Sequence, residues 1–134
     1  THAGLLVGRA VAGEATRLIG IDVGAIYPDP PDALARLANE AGALIGLDLG
    51  IEPDDLEITT DQVGPGYAVP TDAGNDAVRL LATTEAILTD PVYSGKGLAG
   101  CIDLAQRGQL QGPVVFWHTG GYHALFDPTF ASKL

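Results

Sequence analysis

Arg17-Leu18-Ile19-Gly20-Ile21-Asp22-Val23 is the stretch on which the fold turns. It is a short apolar run with β-branched residues and no helical spacing, so it reads as a strand covered on both faces. Upstream, Leu5, Leu6, Val7 and Val11 lie among small residues and predict a short, largely buried helix over 3–13, with Gly8 permitting close packing. Downstream, Pro28, Pro30 and Pro31 punctuate a loop, and Pro31 suits the first turn of a helix. That helix is predicted over 32–47, where Leu34, Leu37, Ala38, Ala41, Leu44 and Ile45 recur at helical spacing. Gly50 and Pro53 close the unit, and a second strand is predicted over 56–63. Helices alternating with short apolar strands imply an α/β fold: a parallel sheet with helices on both faces.

The pattern continues along the chain. Gly64-Pro65-Gly66-Tyr67-Ala68-Val69-Pro70 is a loop on turn chemistry alone. Asp72 can cap a helix running to about 88, which Asp90-Pro91 breaks. Ser94 can cap the next helix, which packs Leu98, Cys101, Ile102 and Ala105 and closes at Gly108 and Gly112. Pro113-Val114-Val115-Phe116-Trp117 reads as a third strand, followed by His118-Thr119-Gly120-Gly121 and a last short helix over 122–126.

A length of 134 residues fits a single α/β domain, 1–134. Apolar residues at 46% against 18% charged argue for a packed core and against disorder. Seventeen acidic residues against seven basic ones give a net charge of −10, which disfavours a nucleic-acid or anionic-membrane partner. One cysteine forbids an internal disulfide and a cysteine-based zinc site, so a reducing, cytoplasmic setting is expected. No apolar run approaches the ~20 residues of a membrane span. Thr1 in place of Met suggests an internal start.

In parallel sheets ligands bind beyond the carboxyl ends of the strands, which directs attention to the loops around Tyr67, around Tyr93 and at His118 to Gly121, with the turn from Val23 to Asp29 as a fourth candidate. Thr1-His2-Ala3-Gly4 opens a helix whose free amides and dipole suit a phosphate, though a plain N-cap is the simpler account. No GxGxxG follows a strand and no GxxxxGK[ST] is present, which removes the dinucleotide and P-loop readings. Tyr67 sits in the Gly/Pro loop and Tyr93 just before a helix start. Either phenol can donate a hydrogen bond or a proton, or simply cover a surface loop. Lys96 near the same helix start opposes the dipole, and a solvated side chain is the ordinary expectation for it. The two glycines after His118-Thr119 let a ligand approach the backbone. His118 and His123 lack a third ligand at metal spacing, so no metal is expected. Cys101 reads as core, and no GxSxG elbow supports a serine nucleophile.

The same segments carry a family resemblance. Leu88-Thr89-Asp90-Pro91-Val92-Tyr93-Ser94-Gly95-Lys96 is similar to the LTDPVYxGK signature of the 1-aminocyclopropane-1-carboxylate (ACC) deaminase and D-cysteine desulfhydrase family, fold-type II enzymes of the tryptophan synthase β class that use pyridoxal 5'-phosphate. Residues 64–70 resemble its GPxYxxP loop, His118-Thr119-Gly120-Gly121 its HTGG element, and Thr1-His2-Ala3-Gly4 the end of its SGGTHAG phosphate cup. The resemblance implies that Thr1 and His2 belong to the cup. It places Tyr67 and Tyr93 toward a small amino-acid substrate, Ser94 at the pyridine nitrogen, and Thr119 and Gly120 along the ring. Lys96 would be structural. ACC deaminases have Glu at the position of Ser94 and usually Leu at that of Thr119. A hydroxyl supports a weaker electron sink than a carboxylate, which favours β-elimination of D-cysteine to pyruvate, ammonia and sulfide over cyclopropane opening. L-Cysteate sulfo-lyase chemistry is a near alternative. The family's Schiff-base lysine, in an NKxRKLE-type segment, has no counterpart near Lys96 or Lys133. The expectation is therefore the C-terminal part of a longer, homodimeric lyase, inactive alone. The contrasting expectation is a non-catalytic binding or assembly module that keeps the remnant cup.

Overall fold

The computed structural model describes residues 1–131. The elements run α1 (His2–Ala12), β1 (Ile19–Ile21), α2 (Pro30–Ala43), β2 (Glu57–Thr59), α3 (Asp72–Glu85), α4 (Ser94–Gln106) and α5 (Pro128–Ala131), with short 3-10 turns at Pro53–Asp55 and Tyr122–Phe126. The architecture is α/β, and β1 and β2 pair in a parallel sheet with α2 as the crossover.

Local chemistry explains the boundaries. Pro30 and Pro31 occupy the first turn of α2, and the Asp29 side chain caps it by accepting from the Asp32 amide at 3.2 Å. For α3 the cap is Thr71, not Asp72: its hydroxyl accepts from the Gly74 amide at 3.1 Å, and Asp72 becomes the first helical residue. α3 ends at Glu85 because Ala86 turns into the left-handed region at φ 56°. α4 departs from expectation too, since Ser94 lies inside the helix and Tyr93 holds the cap position without a side-chain bond.

The strands are shorter than the periodicity suggests. β1 is half-buried throughout, not covered on both faces. Arg17 lies outside it and forms a bidentate ion pair with Glu57. Residues 113–117 have no ladder partner among the described residues. Val114, Val115 and Trp117 are exposed there, while Phe116 packs against the α3 and α4 core. The apolar run thus carries the composition of a strand without one to pair with. In α1 only Leu6 is buried, so the helix is less enclosed than its sequence implies.

Contacts divide the chain into two compact units. The first is Thr1–Gly20 with Ile26–Thr59; the second is Ile21–Ala25 with the chain from Thr60 onward. In the first, α1 packs on α2, whose buried face is Ala33, Ala35, Ala38 and Gly42. A Cβ at Gly42 would lie 2.8 Å from Leu49, so glycine there lets the returning chain close on the helix. The Asn39 side chain fixes that return, donating to the Ile51 carbonyl at 2.8 Å and accepting from its amide at 3.0 Å. In the second unit α3 packs on α4 around Ala77, Leu98 and Ala99, bordered by Leu81, Ile102 and Phe116. Gly95 sets the approach: a Cβ there would stand 2.6 Å from both the Asp90 carbonyl and Val78.

Candidate active site

The second unit assembles its polar groups around the start of α4. Asp90 is wholly buried, and its carboxylate accepts from the amides of Val92 (2.9 Å), Tyr93 (2.8 Å) and Ser94 (2.8 Å). It also accepts from the Ser94 hydroxyl at 2.5 Å, while the Asp90 amide donates back to Ser94 Oγ at 3.0 Å. A buried carboxylate is tolerated there because the amides of Val92 and Tyr93, and that of Ser94 at the start of α4, face it. Sequence reading treats Asp90 as a breaker. Its place just ahead of a helix start is the signal that its carboxylate can take up the amides of Val92, Tyr93 and Ser94.

This network positions Tyr93. Its phenol is hydrogen-bonded to that of Tyr67, with ring centroids 5.9 Å apart and planes tilted by 59°. The bond from Tyr67 holds the Tyr93 phenol above the usual tyrosine range, with burial and the charge of Asp90 acting in the same direction. Both rings line a cavity of about 350 Å³ together with Val92, His123, Asp127 and Phe130. The Asp127 carboxylate there is kept below its usual range by the Thr129 amide, 2.8 Å away.

His118 works as a pin. Its Nε2 pairs with the Leu88 carbonyl at 2.9 Å and its Nδ1 accepts from the Gly120 amide at 3.0 Å, an arrangement that requires the neutral Nε2–H tautomer. The turn carrying Thr119 and Gly120 is thereby laid on the segment before Asp90. Gly120 and Gly121 are both left-handed, and a Cβ at Gly121 would overlap the Asp90 carboxylate. Thr119 is exposed and Gly120 half-buried. Among the described residues no cluster of three His, Cys, Asp or Glu side chains forms. Cys101 is half-buried, with burial raising its thiol pKa.

Lys96 overturns the solvated reading. It is completely buried, and its ammonium donates to the carbonyls of Val63 (2.7 Å), Gly66 (3.1 Å) and Val23 (3.3 Å). Burial lowers its pKa and the Asp22 carboxylate opposes that. All three donors are engaged, so this amine is a tether. Lys133 lies outside the described residues.

Thr1 and His2 belong to the first unit. Thr1 holds the N-cap position of α1, and no side chain caps the first turn. His2 is half-buried over β1, where a Cβ at Gly20 would fall 2.6 Å from its Nδ1. Burial lowers the imidazole pKa, reinforced by the chain's amino terminus and Arg9.

Residues 1–120 match the family of pyridoxal-phosphate dependent enzymes. The chain belongs to the pyridoxal-phosphate dependent enzymes. It is 38% identical over 127 residues to the 1-aminocyclopropane-1-carboxylate deaminase of Rhizobium leguminosarum bv. viciae, covering 93% of this chain and 38% of the relative. With that of Bradyrhizobium diazoefficiens it shares 41% identity over 128 residues, again covering 93% and 38%. The enzyme of Pseudomonas syringae pv. tomato is 38% identical over 135 residues, 99% of this chain and 40% of the relative. A crystal structure of an ACC deaminase homologue superposes with a TM-score of 0.84 at 32% identity, covering all of this chain and 41% of that one. The chain thus spans about two fifths of the length of the curated relatives it matches.

The residues present fit the pyridoxal-phosphate dependent family's cofactor. Each unit taken by itself, the first-turn amides of α1 in the first suit a phosphate, and the turn at Gly120 in the second leaves room for a flat ring beside the backbone.

Proposed function

We propose that this chain is part of a longer pyridoxal-phosphate dependent lyase that eliminates the β-substituent of a small amino acid, with D-cysteine giving pyruvate, ammonia and sulfide. The cofactor, when bound, supplies an electron sink for negative charge at the substrate α-carbon. In this reading Thr1 and His2 help to hold its phosphate, and Ser94, Thr119 and Gly120 border its ring.

The observation that carries the reading is the phenol pair. Tyr67 and Tyr93 share a hydrogen bond at the wall of a cavity whose volume suits a small amino acid. The raised pKa of Tyr93 keeps that phenol protonated at neutral pH, which suits it to donate a proton to a departing thiolate. Tyr67 then orients Tyr93. Position 94 favours elimination over cyclopropane opening: it is a hydroxyl whose proton is committed to Asp90, where the ACC deaminase pattern has a carboxylate. The names of the relatives favour a second reading, deamination of 1-aminocyclopropane-1-carboxylate. A cytoplasmic homodimer is the assembly and setting that accompany either.

The test is a substrate comparison on the complete, cofactor-loaded enzyme. D-Cysteine should release sulfide and pyruvate faster than 1-aminocyclopropane-1-carboxylate yields its α-keto acid, and L-cysteate should be slower. Tyr93→Phe should reduce turnover of D-cysteine by about 100-fold or more. Faster deamination of the cyclopropane substrate would replace the first reading by the second. Absence of cofactor uptake would leave the non-catalytic module.

A further inference from the structure

The hydrogen bonds around Lys96 reach further than a buried tether requires. Lysine has three ammonium donors, and here all three point at backbone carbonyls on separate stretches of chain: Val23 after β1, and Val63 and Gly66 after β2. Among the described residues its bonds go to these three carbonyls and to no carboxylate. The Gly66 carbonyl belongs to the peptide unit whose nitrogen is that of Tyr67, so the ammonium grips the planar group from which the Tyr67 side chain departs. Tyr67 itself is half exposed. At the other end, Lys96 stands three residues after Tyr93, in a turn closed by the Gly97 amide on the Tyr93 carbonyl at 2.9 Å. The stem is threaded past α3 at Gly74, where a Cβ would stand 3.3 Å from Lys96 Cγ. One side chain thus spans from the rigid start of α4, which carries Tyr93, to the peptide that carries Tyr67.

We propose that Lys96 is a positioning residue that sets the meeting of the two phenols, by bonding the Tyr67 peptide to the helix turn that bears Tyr93. A neutral residue of the same length fills the channel but cannot bind three carbonyls, so the loop at 63–67 is released while the α3–α4 core stays packed. The functional weight of this arrangement rests on the reading of Tyr67 and Tyr93 as the substrate-facing pair. The experiment therefore reads phenol geometry and not turnover, so that either idea can fail alone.

The experiment uses NMR on the full chain with labelled lysine and tyrosine. In the unmutated sequence, the Lys96 ammonium, assigned by the loss of its signal in Lys96→Met, should exchange its protons at least about tenfold more slowly than free lysine. In Lys96→Met, the Tyr67–Tyr93 ring contacts should be lost and the Tyr93 titration should move down to the usual tyrosine range. The backbone signals of α3 and α4 should persist. If Lys96→Met does not fold, Lys96→Ala is titrated with n-butylammonium and, separately, with tetramethylammonium, which has no N–H to donate. Recovery of the ring contacts with the first alone supports the proposal. Unchanged ring contacts and Tyr93 titration in folded Lys96→Met overturn it. So do ammonium exchange as fast as that of free lysine, equal effects of the two amines, and no effect of either.

Discussion

The two compact units bury different things. The first closes on small and apolar side chains: Leu6 from α1, and Ala33, Ala35 and Ala38 from α2. Its charged groups stay at the surface, as in the Arg17–Glu57 pair. The second buries an apolar set of similar kind and adds Asn75, Thr89, Asp90, Ser94 and Lys96. Among its largest fully buried side chains are a lysine and an aspartate. The contrast separates an apolar interior from one that also holds a polar network. Alanine and leucine faces tolerate exchange as long as volume is kept, whereas a buried polar group specifies its partners, because leaving it unpaired is costly. Local order around Tyr93 thus depends on hydrogen bonds that can each be broken singly.

The sharpest way to break the contrast is Asp90→Ala. It strands three amides and the Ser94 hydroxyl in the interior, so stability should fall by about 3 to 5 kcal/mol in urea unfolding. A loss as small as that of an exposed substitution would show that water reaches the network. Next is one exchange made in both units. Gly95→Ala drives a Cβ into the Asp90 carbonyl and Val78, and should cost about 2 to 3 kcal/mol. Gly8→Ala in α1 meets nothing within 4 Å and should raise stability by about 1 kcal/mol through helix propensity. Opposite signs in thermal unfolding would confirm that crowding belongs to the α3–α4 crossing.

A smaller effect concerns His2. Its folded pKa lies below the ordinary 6.5, chiefly through burial, so the native state favours the neutral ring. That contribution is complete above the unfolded value and is lost as pH falls from there through the folded value. The unfolding midpoint should therefore drop more in the unmutated chain than in His2→Gln between neutral pH and about pH 5. An identical drop in both would remove the assignment. The smallest change is expected for Arg17→Ala. Both partners of that ion pair are about half exposed, and the midpoint should stay within experimental error.

Much of this was legible in the chain. The alternation of helix and strand followed from periodicity, and the motif residues flagged the loops where Tyr67, Tyr93 and the glycine turn lie. Other features were not. Residues 113–117 have strand composition, but a ladder needs a neighbouring backbone that composition does not report. Ser94 and Asp72 are good caps by residue type, yet Asp90 and Thr71 hold those roles because capping depends on where the carboxylate or hydroxyl sits relative to the amides. His118 and His123 lack metal spacing, so the sequence leaves the role of His118 open. What His118 holds is a carbonyl and an amide, partners that a side-chain motif cannot show.

The sequence by itself determined the α/β class and the cofactor family, since these rest on local spacing and on short motifs. Only the tertiary structure decided that Lys96 is buried, that Asp90 is the hub of the α4 start and that Tyr67 meets Tyr93. A lysine three residues into a helix is unfavourable by every local rule. It becomes tolerable only when folding brings three carbonyls from distant stretches of chain around its ammonium, a property of the assembled fold that no sequence window contains.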